Sequence, residues 1–506
     1  MEPFNIIKSD LIVMNTKNLL MRFKFKYLFL PLSLVATLSA CKKWEDHTAV
    51  SNPDLNQNLL QAISSNSDLS TFRQYISKTG LDSLLQASKT FTVWAPTNNA
   101  LQNLDPSIVN DVVKLKSFVL NHIANQSYLT RDVQNTRWVP MVNGKYISFT
   151  SSKFDEANIN ASKFTNNGTL YTIDKGIAVL PNIWDFVNST ASQYAQNSFV
   201  AALNFNDFDP SLAIVDSISA NTGLPVYKPG TGIVAKNKFK EKVYDLGRED
   251  KQYTYFVIQN ANFTVESDSL KKYYATASTA STDTLAKWNT VKDFAIEGVY
   301  TSNQLNGLVS KFGTPIPVNA ANIVETKKMS NGIVYVLSKL DIKTNDKFKT
   351  IVVQGESPNG FLSNKSGNTF YRLRTNPVTS QQYWDLMISG HGTTGYYSYY
   401  DLAETPSITY KVYALAQNDF QAAAFSENVV VKYLTAPAPV QLANLLYAIP
   451  AATNNGVINA SAYNEVLLGN LVVTNYGTIE IQLTANASST PMVLDYLRLV
   501  PQPSTV

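Results

Sequence analysis

Cysteine is almost absent from this chain, one in 506 residues, and histidine is nearly as scarce, with only His47, His122 and His391. A single thiol forms no internal disulfide, no cysteine-rich zinc site and no iron–sulfur cluster. Three scattered imidazoles offer little to a metal centre or to acid–base catalysis. Charge is thin as well: 16% of residues are Asp, Glu, Lys or Arg, where an average soluble protein has about 25%. The balance of 42 basic against 38 acidic residues leaves +4, which makes no field for a polyanion, so no nucleic-acid partner is expected. The patterns G-x-S-x-G, H-E-x-x-H, the Walker loop and the EF-hand loop are all missing, and neither cofactor nor metal is expected. After the first 41 residues no run of about 18 apolar residues occurs that would make a transmembrane helix.

What is present is ample hydrophobic material, 44% of residues, enough for packed cores. The length predicts about three or four domains. With few charges, the polar surface must come from Asn, Ser, Thr, Gln and Tyr, a β-rich and extracytoplasmic composition.

The N-terminal region reads as an address. Arg22, Lys24 and Lys26 precede an apolar run from Tyr27 to Ala40, which is too short to span a bilayer permanently. It ends Leu38-Ser39-Ala40-Cys41, placing the only cysteine directly after small residues. This resembles the bacterial lipoprotein signal, which implies that Cys41 carries lipid and that an outer-membrane lipid is a partner. The start is Met1 or Met21, with residues 1–41 expected to be a signal region and 42–57 a tether. The charged stretch Lys42-Lys43-Trp44-Glu45-Asp46-His47 resembles the surface-export signal of Bacteroidetes lipoproteins and implies exposure at the cell surface.

Helical spacing begins at Leu59, Leu60 and Ile63 and continues through Leu69, Phe72 and Ile76. A β-like run, Phe91 to Ala95 with Thr92 inside it, then stops at Pro96, where Thr97 or Asn98 would cap a following helix. Leu115 to Ile123, containing His122, and Asn167-Gly168-Thr169-Leu170-Tyr171-Thr172-Ile173-Asp174 follow in order. These three boxes resemble those of the fasciclin (FAS1) domain, an extracellular adhesion module, over 58–185. The corner Pro96-Thr97-Asn98 is expected to hold the fold rather than a ligand. His122 is expected to be a satisfied, partly buried residue, and Asn167 a turn residue.

The marks recur. Tyr253 to Phe263 aligns with the first box, Val291 to Val299 with the second and Asn331 to Lys339 with the third. In this alignment Pro96 becomes Ile258, His122 becomes Gly298 and Asp174 becomes Ser338. A second, divergent FAS1 domain is therefore expected over 186–342. Its long first half carries a Pro/Gly-rich loop at Lys228-Pro229-Gly230-Thr231-Gly232.

From Thr350 onward the chain reads as short strands and turns, which predicts an all-β sandwich of jelly-roll type over 343–506. Its closing strands resemble those of galactose-binding-like and carbohydrate-binding modules. The expected fold class is thus α+β, two FAS1 domains followed by a sandwich. Tyr383, Trp384, Asp385, Tyr396, Tyr397, Tyr399 and Tyr400 supply aromatic faces and a carboxylate of the kind that grips sugars. They are the candidate ligand residues, although neighbouring tyrosines in a strand point opposite ways. His391, in the glycine-rich loop before them, is expected to be exposed.

The function these features imply is a non-catalytic cell-surface lipoprotein that binds an extracellular glycan or a surface protein. Two alternatives are an accessory subunit docked onto a transporter in a polysaccharide-uptake complex, and a hydrolase using Asp385 or Asp401.

Overall fold

The computed structural model describes residues 53–434 and 438–503. Cys41, the leader, Met21 and the segment Lys42–His47 lie outside the described residues.

The first unit is built around one strand, Phe91–Pro96, all six of whose residues are buried. Alternation sends its side chains to two different cores. Phe91, Val93 and Ala95 pack with Leu59, Ile63, Phe72 and Ile76 from the helices Leu59–Ser64 and Ser70–Lys78. Trp94 points the other way, stacked on Phe154 at 4.4 Å and beside Tyr171 at 5.9 Å. The central strand runs parallel to Gly168–Ile173 and antiparallel to Ile123–Ala124. Four further strands extend the sheet to seven.

Between 253 and 337 the same arrangement recurs in four strands. Tyr253–Ile258 is again buried on both faces, parallel to Gly332–Leu337 and antiparallel to Ala295–Glu297. The side-chain bonds repeat with it. Thr92 donates to the Gln126 carbonyl and accepts from the Tyr128 N–H; Thr254 donates to the Gly298 carbonyl and accepts from the Tyr300 N–H. Asn167 accepts from the Leu59 N–H and donates to the Leu85 and Ala87 carbonyls. Asn331 does the same with Ile183, Leu246 and Arg248.

This register corrects the sequence alignment in the second box. Trp94 donates its N–H to the His122 carbonyl, and Phe256 donates to the Phe294 carbonyl. Phe294, not Gly298, stands where His122 does. The helical stretch offers no fixed landmark by eye, so a slip of one turn keeps the apolar pattern. The helix Ile183–Ser189 also packs with the middle core through Ile183, Phe186 and Val187.

The paired strands of the C-terminal unit are all antiparallel among the described residues. One sheet orders Ile351–Gln354, Tyr496–Gln502, Thr409–Leu415 and Val466–Val472; another orders Gly360–Phe361, Tyr397–Thr405, Gly477–Ala485, Phe425–Tyr433 and Val440–Ile449. Their inward residues, among them Val412, Leu499, Val429 and Ile481, make one sandwich core. That core also takes in Leu270, Tyr273, Tyr274 and Ala286 from the middle unit. Tyr476 donates its N–H to the Ala275 carbonyl across the junction at 2.7 Å. The sandwich is fused to the helices before it rather than strung on a linker. At the other junction Lys328 reaches Asp155 and Glu156, and Lys145 reaches Glu249. Lys175 and Lys328 together hold the Glu156 carboxyl down at about 2.

Candidate binding surfaces

The residues of the three boxes are framework. Pro96 ends the central strand. Thr97 accepts the Ala100 N–H at 3.3 Å, a weak cap. Asn98 does not cap the turn after it. It reaches back to the first turn of Ser70–Lys78, accepting from the Thr71 N–H and donating to the Ser67 carbonyl. Asp174 accepts from the backbone and side chain of Asn158.

His122 is wholly buried, more than expected. Its Nδ1 lies 2.8 Å from the Phe118 carbonyl, and its Nε2 lies 3.0 Å from the Ile177 N–H. A carbonyl requires a proton on Nδ1 and an amide requires a lone pair on Nε2, so the ring is the neutral Nδ1–H tautomer. Burial pushes its pKa down to about 4, against a smaller upward pull from Phe118. For an imidazole lowered in the folded state, stability is full above the unfolded value of about 6.5 and drains away as pH falls from there towards 4. The expected result is a first unit that loses stability over that window. His122→Phe, which copies Phe294, should cost about 1–3 kcal/mol at pH 7 by orphaning the Ile177 N–H, and should flatten the acid slope. Thermal melts from pH 7.5 to 4 check this; an unchanged slope in the variant would refute it.

The candidate ligand residues of the sandwich do not converge. Tyr397 and Tyr399 share one face of their strand, half-buried, with ring centroids 6.5 Å apart and Lys432 over Tyr397. Tyr396 and Tyr400 are core residues and drop out of the platform. Their hydroxyls donate to the Ser363 and Gly355 carbonyls. His391 is likewise buried, stacked on Tyr396 and 2.8 Å from the Thr490 carbonyl, so the expected exposure is corrected. The stacking on Tyr396 and the bond to the Thr490 carbonyl hold the loop against the sandwich.

Tyr383, Trp384 and Asp385 lie on a separate three-stranded sheet, Thr369–Thr375, Gln382–Ile388 and Met492–Leu494. Trp384 pairs across the strands with Leu373, and both are about half exposed. With Tyr371 they form an apolar ledge. Tyr383 and Asp385 point to the opposite face. Asp385 is fully buried and grips the Arg372 guanidinium through both oxygens. It is a structural anion, not a ligand contact.

Sequence reasoning missed one exposed apolar feature. Between the strand Asn204–Phe208 and its partner Ile233–Asn237 the chain runs out into a second hairpin, Val215–Ile218 with Pro225–Tyr227. From 204 to 236 no residue is buried. Leu212, Ile214, Ile218 and Leu224 are each more than half exposed, and Phe205, Phe208 and Ile233 join them. The sequence signal for it is the apolar run Leu212, Ile214, Val215 and Ile218 between the turn residues that otherwise mark a loop. Two-stranded hairpins without a core are marginal in water, and an apolar patch of this kind marks an interaction surface.

Residues 67–179 match the family model of the Fasciclin domain. No curated protein matches the chain. Similar solved structures include the FAS1 domain pair of the insect cell adhesion molecule fasciclin I, at 14% identity over 56% of this chain and 99% of that one, TM-score 0.20. Another is a family 35 carbohydrate binding module from Clostridium thermocellum, at 18% identity over 31% of this chain and 100% of that one, TM-score 0.21. The insecticidal crystal protein Cry2Aa is similar at 15% identity over 33% of this chain, TM-score 0.22, and the chain spans only 24% of that protein's length.

Proposed function

We propose that this protein is a non-catalytic lipoprotein, held on the outer membrane through Cys41 and exposed at the cell surface, which adheres to a partner outside. In this reading 183–342 is a second, divergent copy of the fasciclin fold. The two copies and the fused sandwich form the body that carries the binding surfaces.

The observation that supports it is the arm from 204 to 236. A folded protein gains nothing from apolar side chains that its own core never covers, and it risks aggregation by displaying them. Contact with a partner removes that area from water and orders the two hairpins at once. Adhesion of this kind requires no chemistry, only shape and desolvated apolar groups.

A second reading, an accessory role in glycan uptake with the arm docked on a transporter, is favoured by the Tyr397–Tyr399 pair, whose half-buried rings could take a sugar face.

Cells displaying wild type, Cys41→Ser and a variant with Leu212, Ile214, Ile218 and Leu224 changed to Ser separate these readings. Cys41→Ser should leave the membrane fraction, and the wild-type cysteine should carry acyl mass. The serine arm should stay anchored with unchanged melting yet reduce attachment at least tenfold. Normal attachment with lost growth on one polysaccharide would replace adhesion by uptake. Unchanged attachment and growth would overturn the role of the arm.

A further inference from the structure

Where the middle unit meets the sandwich there is a hollow of about 410 Å³, none of whose lining residues belongs to the arm or to the aromatic surfaces described above. Its walls are the short helix Lys238–Lys242, the helix Thr279–Val291 with the residues after it, and the bulged end of the strand Tyr397–Thr405. Five lysines line it. One of them, Lys347, is spent on Asp293, which it meets at 2.7 Å in a buried pair. Lys349 donates to the Gly313 carbonyl.

The other three are different. Among the described residues no carboxylate comes within ion-pair distance of Lys238, Lys242 or Lys292. In place of an anion, Lys238 rests over the Trp288 ring at 4.3 Å and Lys292 over the Phe312 ring at 5.1 Å. Both are partly buried. Crowding unpaired ammonium groups at a partly desolvated surface is unfavourable, and the fold tolerates it only weakly through the ring faces. Burial drives the Lys292 pKa down to about 8; Asp293 and Glu404 pull it up against that fall, while Lys347 and Lys238 add to it. An entering anion would relieve the crowding.

One acid faces these cations. Glu404 lines the same hollow, and it is a non-glycine residue at φ 55°, inside the irregular register between Leu402 and Thr405. Such bulges redirect a side chain, and a residue held in the left-handed region costs energy that ordinary packing does not require. A carboxylate accepts hydrogen bonds from hydroxyls and repels further negative charge. The hollow therefore has a cationic side and an acceptor side, and its size is that of a small-molecule site.

We infer that this junction hollow is a binding site for an acidic saccharide of one or two sugar units, its anionic group held by Lys238, Lys242 and Lys292 and its hydroxyls by Glu404. A bare inorganic anion would fill only the cationic side, and a polyphosphate would press charge against Glu404. The inference stands apart from the arm: either could fail without the other.

The test is titration calorimetry of the full chain in detergent with four probes: digalacturonate, a sulfated galactose disaccharide, the neutral galactose disaccharide and inorganic phosphate. Either acidic disaccharide should bind at least tenfold more tightly than the neutral one, and the comparison of carboxylate with sulfate names the anionic group. Lys242→Gln, at an exposed position, should weaken binding several-fold without touching the fold. Lys238→Gln with Lys292→Gln should abolish binding while melting stays as in wild type or rises, since unpaired cations are removed. Glu404→Gln should weaken the acidic disaccharide but not phosphate. No binding of either acidic probe, binding indifferent to the lysine changes, or phosphate binding as tightly as the disaccharides would overturn the proposal.

Discussion

Gly168→Ala and Gly332→Ala should each unfold the unit that contains the change. A Cβ built on Gly168 falls 2.0 Å from the Phe91 carbonyl oxygen, and one on Gly332 falls 1.9 Å from the Tyr253 carbonyl oxygen. Neither obstacle is a side chain that swings aside. Each is the backbone of the adjacent parallel strand, paired directly with the glycine. Relief requires the two central strands to separate. That separation would strip the bond from the Phe91 N–H to the Asn167 carbonyl, or from the Tyr253 N–H to the Asn331 carbonyl, and loosen the asparagine that ties helix to strand. With both core layers hung on that strand, the cost should exceed about 4 kcal/mol. Gly367→Ala, where an added Cβ meets nothing, is the control and should be near neutral. Calorimetry distinguishes the two sites. Gly168→Ala should remove the first unit's transition alone, whereas Gly332→Ala should also lower that of the sandwich, because Leu270, Tyr273, Tyr274 and Ala286 lie in the sandwich core. Melts within about 1 kcal/mol of wild type would show that the parallel contact is not what the Asn-Gly pair serves.

The second large effect is expected at Arg372. Its guanidinium meets both oxygens of Asp385, whose side chain is wholly buried. It also touches Asp419, which Arg374 engages in turn. Arg372→Met would strand the Asp385 charge in the sandwich beside Asp495. Burial has already raised the Asp495 carboxyl to about 7, with Asp385 and Glu356 contributing. Breaking one side of a buried pair costs about 3–5 kcal/mol.

Removing Arg372 leaves the buried Asp385 carboxylate without its counter-charge, so the folded variant, unlike wild type, should favour the protonated acid. An acid whose folded pKa is raised is bound to its proton more tightly in the folded state. Stability is then full below the unfolded value of about 4 and falls as pH rises through the raised one. The variant should therefore be weaker at pH 8 than at pH 5 relative to wild type. Changing both residues, Arg372→Met with Asp385→Leu, should recover most of the loss. Urea melts at the two pH values measure it. A small, pH-independent loss in the single variant would show that the Arg372–Asp385 pair does not hold this part of the sandwich.

Much of the framework was legible because it is local. Asn167-Gly168 and Asn331-Gly332 are short pairs that stand out in the sequence without their partners, whereas the three backbone groups each amide satisfies lie far away in the chain and are fixed only by the fold. The run from Phe91 to Pro96 was legible as a strand ended by its proline, but its burial on both faces depends on what packs on each side and came only with the fold. The second box was read one helical turn out of place, because a helix repeats its apolar pattern every turn and only the strand pairing that follows it sets the register.

The ligand residues were less legible. Tyr383, Trp384 and Asp385 are neighbours in sequence, yet the pleat sends Trp384 to one face and the other two to the opposite face. Tyr396 and Tyr400 differ from Tyr397 and Tyr399 only by parity. The exposed arm looked like an ordinary loop, since exposure is a property of what fails to pack against a segment.

By itself the sequence determined where the boxes of the first unit stand, that the C-terminal third is built of short strands and what chemistry the composition leaves out, because periodicity, turn residues and residue counts act over a few positions. Only the tertiary structure decided that Asp385 is neutralised by Arg372, that the sandwich core runs on into the helices before it, and that lysines from 238 to 349 gather around one hollow with Glu404. Those facts depend on distances between residues far apart in the chain, and such distances exist only once the cores have closed.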